Sequence, residues 1–466
     1  ATGRVQPMGG EGSSFPRGGS WGTNGKILYV PHSNTGIHVV DVEGGESRQL
    51  TIPDPDVTDS SHRWPHFLPD GEHYLFLWWT NDLASQEKYG GVYLASVSSD
   101  TEPVKIIADA SSVAYASPGY LLVMREDNLI AVPFDADERR VTGEASVIAT
   151  GVLRSRANGH GAFTVSAEGT LVYARGQAFL PAALIWYDRS GETTPAAGES
   201  TAFISLRLSP DATRAAAVIP GVSGDGELWM LDLVRGVRTR MASGAWDYST
   251  PVWSSSGARV LYVSNERGYG DLYTRSADGS GAQEAFLVDD VDKSAGDWSR
   301  DGKYVVHWPA GFGGSTPDLW IYAVETQQSE VLIAGEPTYT GARFSPDARF
   351  VVYASDESGR FEVFAHAIDG GARWQVSTAG GSGPSWRDDG REIVYLDPEG
   401  RMMAVSIDAA PSGFKLGTPV ELFRIDDTVV TGDVTSDHQR FLIATRSDVG
   451  SEPLHVILGW HAGLNP

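Results

Sequence analysis

Nine residues have the types that recognition surfaces use. His62, Arg63, Trp246, Asp247, Tyr248, Asp292, Lys293, Tyr339 and Arg343 mix aromatic rings with both signs of charge. They form the candidate binding set, at the mouth of a channel whose walls are argued for below. His62 and His66 are spaced as a metal-binding pair on one helical face would be, but Pro65 between them rules out that helix, so His66 is expected to pack near Phe67 and His62 to sit in a loop. The groups Asp54-Pro-Asp56, Asp289-Asp290 with Asp292, and Asp426-Asp427 carry the hard oxygen ligands that calcium takes. Solvated loop acids are the plainer reading of each, and no metal or cofactor is assigned.

Sequence signatures of catalysis are sparse. No His-Glu-x-x-His, EF-hand loop or phosphate-binding Gly-x-x-x-x-Gly-Lys-Ser/Thr string occurs, and no hydrolase domain follows the repeats described next. The leading expectation is a non-catalytic binding or scaffold protein. The alternative is a hydrolase or lyase that assembles its site from distant loops at the channel mouth.

The elements that must position these side chains announce themselves by repetition. Every 42 to 50 residues an apolar or aromatic anchor precedes a tight turn: Trp21, Phe67, Tyr115, Val165, Leu208, Trp253, Trp298, Phe344, Trp386 and Val434. The turns read Ser209-Pro-Asp-Ala212, Ser299-Arg-Asp-Gly302 or Ser345-Pro-Asp-Ala348, and supply a residue tolerant of positive φ between antiparallel strands. A buried run follows each turn, such as Arg259-Val-Leu-Tyr-Val263. A third strand then opens on a small or acidic residue, as in Asp271-Leu-Tyr-Thr274 or Glu362-Val-Phe-Ala365, and a charged fourth strand such as Val237-Arg-Thr-Arg-Met241 forms the outer edge. Four strands per repeat of this length specify an all-β propeller of about ten blades. In such a fold the loops entering the innermost strands converge around the central channel, and there the nine candidates are expected. Trp253, Trp298 and Trp386 are expected to pack between blades.

Composition agrees. Gly at 54 and Pro at 25 suit many turns, and 14 Trp among 466 residues can fill cores between sheets. The net charge, 36 minus 60 or −24, argues against nucleic acid and anionic lipid as partners. No apolar run is long enough to cross a membrane as a helix. The absence of Cys excludes disulfides and thiolate chemistry, and suits an exported protein.

Several phrases carry a family resemblance: Phe344-Ser-Pro-Asp-Ala-Arg-Phe-Val-Val-Tyr353, Trp374-Gln-Val-Ser-Thr-Ala-Gly-Gly381, His62-Arg-Trp-Pro-His-Phe-Leu-Pro-Asp-Gly71 and Trp186-Tyr-Asp-Arg-Ser-Gly191. They resemble the TolB-type, WD-like propeller repeats of bacteria, most of all the extracytoplasmic repeat region of bacterial transmembrane serine/threonine kinases. The kinase module has no counterpart in this sequence. The resemblance implies a sensing or scaffold propeller outside the cytoplasm, in the periplasm or at the cell surface. A protein partner or small ligand would sit at the propeller face, and the chain could be an accessory subunit of an envelope complex. Because residue 1 is Ala rather than Met, an export signal or anchor is expected upstream. One ring is favoured slightly, with residues 1–20 completing the last blade and 21–466 forming the blades. The rival is two propellers, 1–195 and 196–466.

Overall fold

The computed structural model describes residues 17–464 except 32–34, 58–59, 81–82, 100, 156–157, 167, 177–179, 222–225, 243–246, 268–269, 290, 310–317, 336–337, 411–412 and 447–452. The architecture is all-β: ten antiparallel sheets of three to five strands, with one short helix, Leu83–Tyr89, among the described residues. The repeats divide between two compact units. One holds Ala1–Ala178 and Gly450–Pro466, the other Phe179–Gly311 and Ser315–Val449.

The repeated turn has a physical explanation in its hydroxyl. Ser209, Ser299 and Ser345 each donate to the Asp two residues on, at 2.6, 2.8 and 2.6 Å, and Thr435 does the same to Asp437 at 2.6 Å. The same oxygens accept the N–H five residues on, from Arg214, Tyr304, Phe350 and Arg440, at 2.9 to 3.1 Å. Side chain and backbone thus lock one another across the hairpin. The residue after the Asp must be left-handed. Gly302 (φ 77°) takes that conformation freely, whereas Ala212 and Ala348 (both φ 54°) and His438 (φ 55°) adopt it under constraint.

In the second unit the anchors pack as expected, against the sheet before their own. Trp253 is buried with Ala216, Val218 and Leu228 of the preceding sheet. Its indole N–H also donates to the Arg207 carbonyl of that sheet at 3.0 Å. Trp386 is likewise buried against Phe350, Val352 and Val363. Trp298 is only half-buried, edge-on to Phe286 at 5.2 Å.

The second unit contains six sheets, whose innermost strands are Ser205–Leu208, Tyr248–Trp253, Lys293–Trp298, Tyr339–Phe344, Ser382–Trp386 and Thr428–Val434. Successive strands approach one another from the first sheet through the fifth, the fifth and sixth sheets pack through Val394, Phe441 and Ile443, and Ser205–Leu208 lies beside Thr428–Val434, so the order runs in a cycle. The sixth sheet is built from both ends of the unit: Thr428–Val434 and Arg440–Arg446 pair with Ala183–Asp188, and this with Thr193–Pro195. Two expectations about chain ends are corrected here. The strand His455–Ile457 follows the last repeat in sequence yet pairs with Leu171–Tyr173 in the first unit, so it is no part of the last repeat's sheet. Residues 1–16 lie outside the described residues, Gly19–Trp21 pairs with Lys26–Tyr29, and the place beside Arg440–Arg446 is filled by Ala183–Asp188. A boundary at 195/196 would therefore separate two strands from their own sheet. The edge of a β-sheet accepts any strand of matching pattern, so sequence order does not dictate which segment completes it.

A charged clamp pins this shared sheet to the fifth. Arg189, in the turn after Ala183–Asp188, makes a two-pronged contact to Glu392 at 2.8 and 3.0 Å and donates to the His438 carbonyl at 3.2 Å. His438 Nδ1 is 3.1 Å from the same carboxylate. Burial would push the Glu392 carboxyl up, but the bonds from His438 and Arg189 outweigh it and hold the group at about 2. A depressed carboxyl stabilises the fold above its unfolded value near 4.5 and ceases to as pH falls toward 2. The Glu392→Gln variant should therefore melt below the wild type at pH 7, and calorimetry across pH 5 to 2 should show that gap closing. Trp253→Ala should cost roughly 3–5 kcal/mol in urea unfolding, and Trp298→Ala clearly less, because only the first removes a fully packed ring.

Candidate functional site

The innermost strands of the second unit enclose a cavity of about 290 Å³ on the side where the repeated turns lie. Alternation along a strand puts neighbouring side chains on opposite faces: where the anchor packs on the preceding sheet, the residue before it faces the next one, as Val252 does toward Ala295 and Val305, and borders the mouth of the cavity. Those six residues are Arg207, Val252, Asp297, Arg343, Ser385 and Asp433, and all six line the cavity. The order is cyclic, with like chemistry every third place: Arg opposite Arg, Asp opposite Asp, Val opposite Ser. Register shifts in five of the six strands, for instance between Thr340 and Arg343, add the residue that turns these side chains inward.

Both carboxylates also tie neighbouring sheets together. Asp297 accepts the Phe344 N–H at 3.0 Å, and Asp433 accepts the Leu208 N–H at 2.8 Å. Arg343 donates to Asp433 at 2.7 Å and makes a long contact to the Ser385 hydroxyl at 3.4 Å. Arg207 donates to the Gly296 carbonyl at 2.5 Å. The two acids respond differently to the same surroundings. Burial pushes the Asp297 carboxyl up despite Arg207 and Arg343, whereas at Asp433 the attraction of Arg343 and Arg207, with two hydrogen bonds, outweighs burial and holds it down. Burial beside Arg343 lowers Arg207 to about 10, which leaves it cationic at neutral pH. Arg207 and Arg343 thus face two carboxylates, one held below the usual range and one pushed up from it, with Arg300 and Asp388 on the same lining. No His or Lys lines this cavity.

Of the candidates among the described residues, only Arg343 lines this cavity. His62 and Arg63 lie in the first unit, on the strand Ser61–Phe67 rather than in a loop. His62 is buried against Phe76, 2.7 Å from the Thr51 hydroxyl, and burial lowers it to about 3. Arg63 is buried over Trp79 and donates to Ser61 at 2.6 Å. His66 does pack near Phe67's strand partners, and burial lowers it to about 4. Tyr248 and Tyr339 are buried against Tyr262 and Tyr353 of their own sheets. Asp247 and Asp292 accept the N–H of Gly226 and Gly270 at 2.6 and 2.5 Å, and so hold the start of the preceding sheet's third strand. Lys293 is buried between Asp271 at 3.0 Å and Asp289 at 2.6 Å. Trp246 and Asp290 lie outside the described residues. A Gly-x-Ser-x-Gly string, Gly18-Gly-Ser-Trp-Gly22, is also present, and its Ser20 hydroxyl accepts the Phe67 N–H at 3.0 Å, the first unit's counterpart of Asp297 with Phe344. The signal that finds the cavity is the column one residue before the anchors, which holds Arg, Asp, Arg and Asp where a solvent-facing column would vary freely.

No family model matches the chain, and no curated protein matches its sequence. Solved structures similar to it include a protein described as TolB from Agrobacterium tumefaciens, 18% identical over 57% of this chain and 98% of that one, with a TM-score of 0.47. TolB from Acinetobacter baumannii is 13% identical, covering 72% and 79%, with a TM-score of 0.37. A chain of a mitotic checkpoint complex is 13% identical, covering 61% and 86%, with a TM-score of 0.39. The chain is a β-propeller protein by its own sheets.

Removing Asp433 would leave Arg343 and Arg207 without their ionised partner. Asp433→Ala should cost roughly 3–5 kcal/mol. Asp297→Asn, which removes a charge that burial opposes and keeps an oxygen to accept the Phe344 N–H, should cost much less. Urea unfolding followed by tryptophan fluorescence compares the two directly.

Proposed function

We propose that the protein is a non-catalytic binding propeller whose second unit captures an anionic ligand, or a carboxylate of a protein partner, on Arg207 and Arg343. The observation that carries this reading is the paired Arg and Asp residues around one cavity. The half-buried guanidiniums of Arg207 and Arg343 place fixed cationic groups on the cavity wall of a protein of net charge −24. Guanidinium forks suit two-pronged recognition of carboxylate groups. Sensing outside the cytoplasm, as the repeat region of a receptor kinase or as an accessory subunit of an envelope complex, fits the repeat resemblance and the lack of Cys.

Titration calorimetry with citrate as probe tests the reading. The wild type should bind it, with affinity falling as salt rises, and Arg207→Gln together with Arg343→Gln should abolish binding while the β-sheet circular dichroism is kept. Citrate binding unchanged in that folded double variant, or absent from the wild type, would remove the cavity as the site.

A further inference from the structure

Beside the axial cavity lies a second one, of about 270 Å³, between the fifth and sixth sheets of the second unit. Its walls are apolar: Val394, Leu396 and Met402 from the fifth sheet face Val429, Phe441 and Ile443 from the sixth. It adjoins the axial cavity, because Arg343, Ser385, Asp433 and Val434 line both. The opening has a cause in the backbone. Every other adjacent pair of innermost strands in the cycle approaches closely, and only Ser382–Trp386 and Thr428–Val434 stand apart. Gly383, in the left-handed region at φ 58°, lines the gap with open space where a side chain would stand.

We infer that this inter-sheet cavity is a binding site for the apolar body of a small monocarboxylate whose carboxylate rests on Arg343. The inference rests on the reading of the Arg207 and Arg343 cavity as a binding site and adds the class of ligand. Chemistry divides along the cavity as such a molecule requires. Aliphatic and aromatic side chains form much of the wall, with Ser382 level with Leu396, and the Arg343 guanidinium and Ser385 hydroxyl stand where the hollow meets the axial cavity. Arg343 can serve two carboxylates at once: its Nη2 stays with Asp433 at 2.7 Å, while Nη1 has only the 3.4 Å contact to Ser385, which a ligand oxygen would replace with a shorter charged bond. The volume sits near the lower end of ligand pockets, roughly 300–1,000 Å³, which selects a compact body over a branched or polymeric one.

Titration calorimetry with octanoate, acetate, octanol and octylamine tests the inference, and a peptide ending in leucine, with its terminus free or amidated, shows whether a chain end can supply the same group. Octanoate should bind at least tenfold tighter than acetate, and octanol and octylamine more weakly than octanoate. Val429→Phe and Leu396→Phe, which fill the hollow, should each weaken octanoate at least tenfold while citrate still binds. Arg343→Gln should weaken octanoate and acetate alike. Tighter binding of the free-terminus peptide than of its amide would assign the carboxylate to a chain end, and octanoate binding without it assigns a free acid. Octanoate no tighter than acetate, or undiminished in both folded filling variants, would overturn the inference and leave the axial reading standing. Loss of citrate binding from the wild type strikes the axial reading instead.

Discussion

A β-sheet shared between the two ends of one segment is the constraint on which the second unit depends. Thr428–Val434 and Arg440–Arg446 end the unit, Ala183–Asp188 and Thr193–Pro195 begin it, and their pairing converts six sheets in a row into six in a cycle. Without it the sixth sheet would show an unpaired edge at Arg440–Arg446, and the first sheet an apolar face stripped of part of its cover. The clamp of Arg189 on Glu392 and His438 ties the same closure to the fifth sheet through a buried carboxylate. The hydrogen bond from the Leu208 N–H to Asp433, spanning 225 residues, exists only because the cycle is closed. The cavity of paired charges is therefore a product of closure as much as of composition.

Within that cycle the charges support one another unequally. Asp297 and Asp433 hold equivalent places and bond equivalent backbone groups, yet Arg343 reaches Asp433 and not Asp297. One acid becomes the partner of a guanidinium and the other is left to the desolvation of its surroundings. This broken symmetry gives the cavity a direction. It also leaves Arg343 at the corner where the axial cavity meets the gap between the fifth and sixth sheets.

Local chemistry was legible in the sequence because each part of it acts within a few residues. The turn phrase, its hydroxyl-to-carboxylate bond and the anchors all repeat at fixed offsets, and so the strands and their order could be read directly. Acidic starts of third strands were also visible, and they hold loops: Asp318 accepts the Gly335 N–H at 3.0 Å and Glu362 that of Gly380 at 3.0 Å. What escaped were pairings between remote segments, such as Ala183–Asp188 with Arg440–Arg446 and Leu171–Tyr173 with His455–Ile457, for which no short-range pattern distinguishes one edge from another. The candidate residues were misread for a related reason. Tyr248, Tyr339 and Lys293 look like contact chemistry in one dimension, but they sit where a strand begins, and there the neighbouring sheet buries them.

The two ends of the innermost strands accordingly carry different tasks. At the entry end, Asp247 and Asp292 are committed to backbone N–H groups, so changing them would loosen the sheet before it changed what the surface recognises. Toward the turn end, the residue before each anchor borders the cavity whatever its type. Val252 and Ser385 occupy that place as readily as Arg207 or Asp297. A position that the fold leaves open in chemistry but fixes in direction is where selectivity can vary without loss of the scaffold. The column before the anchors therefore combines a rigid setting with freedom of side chain, and recognition in this unit is expected to reside there.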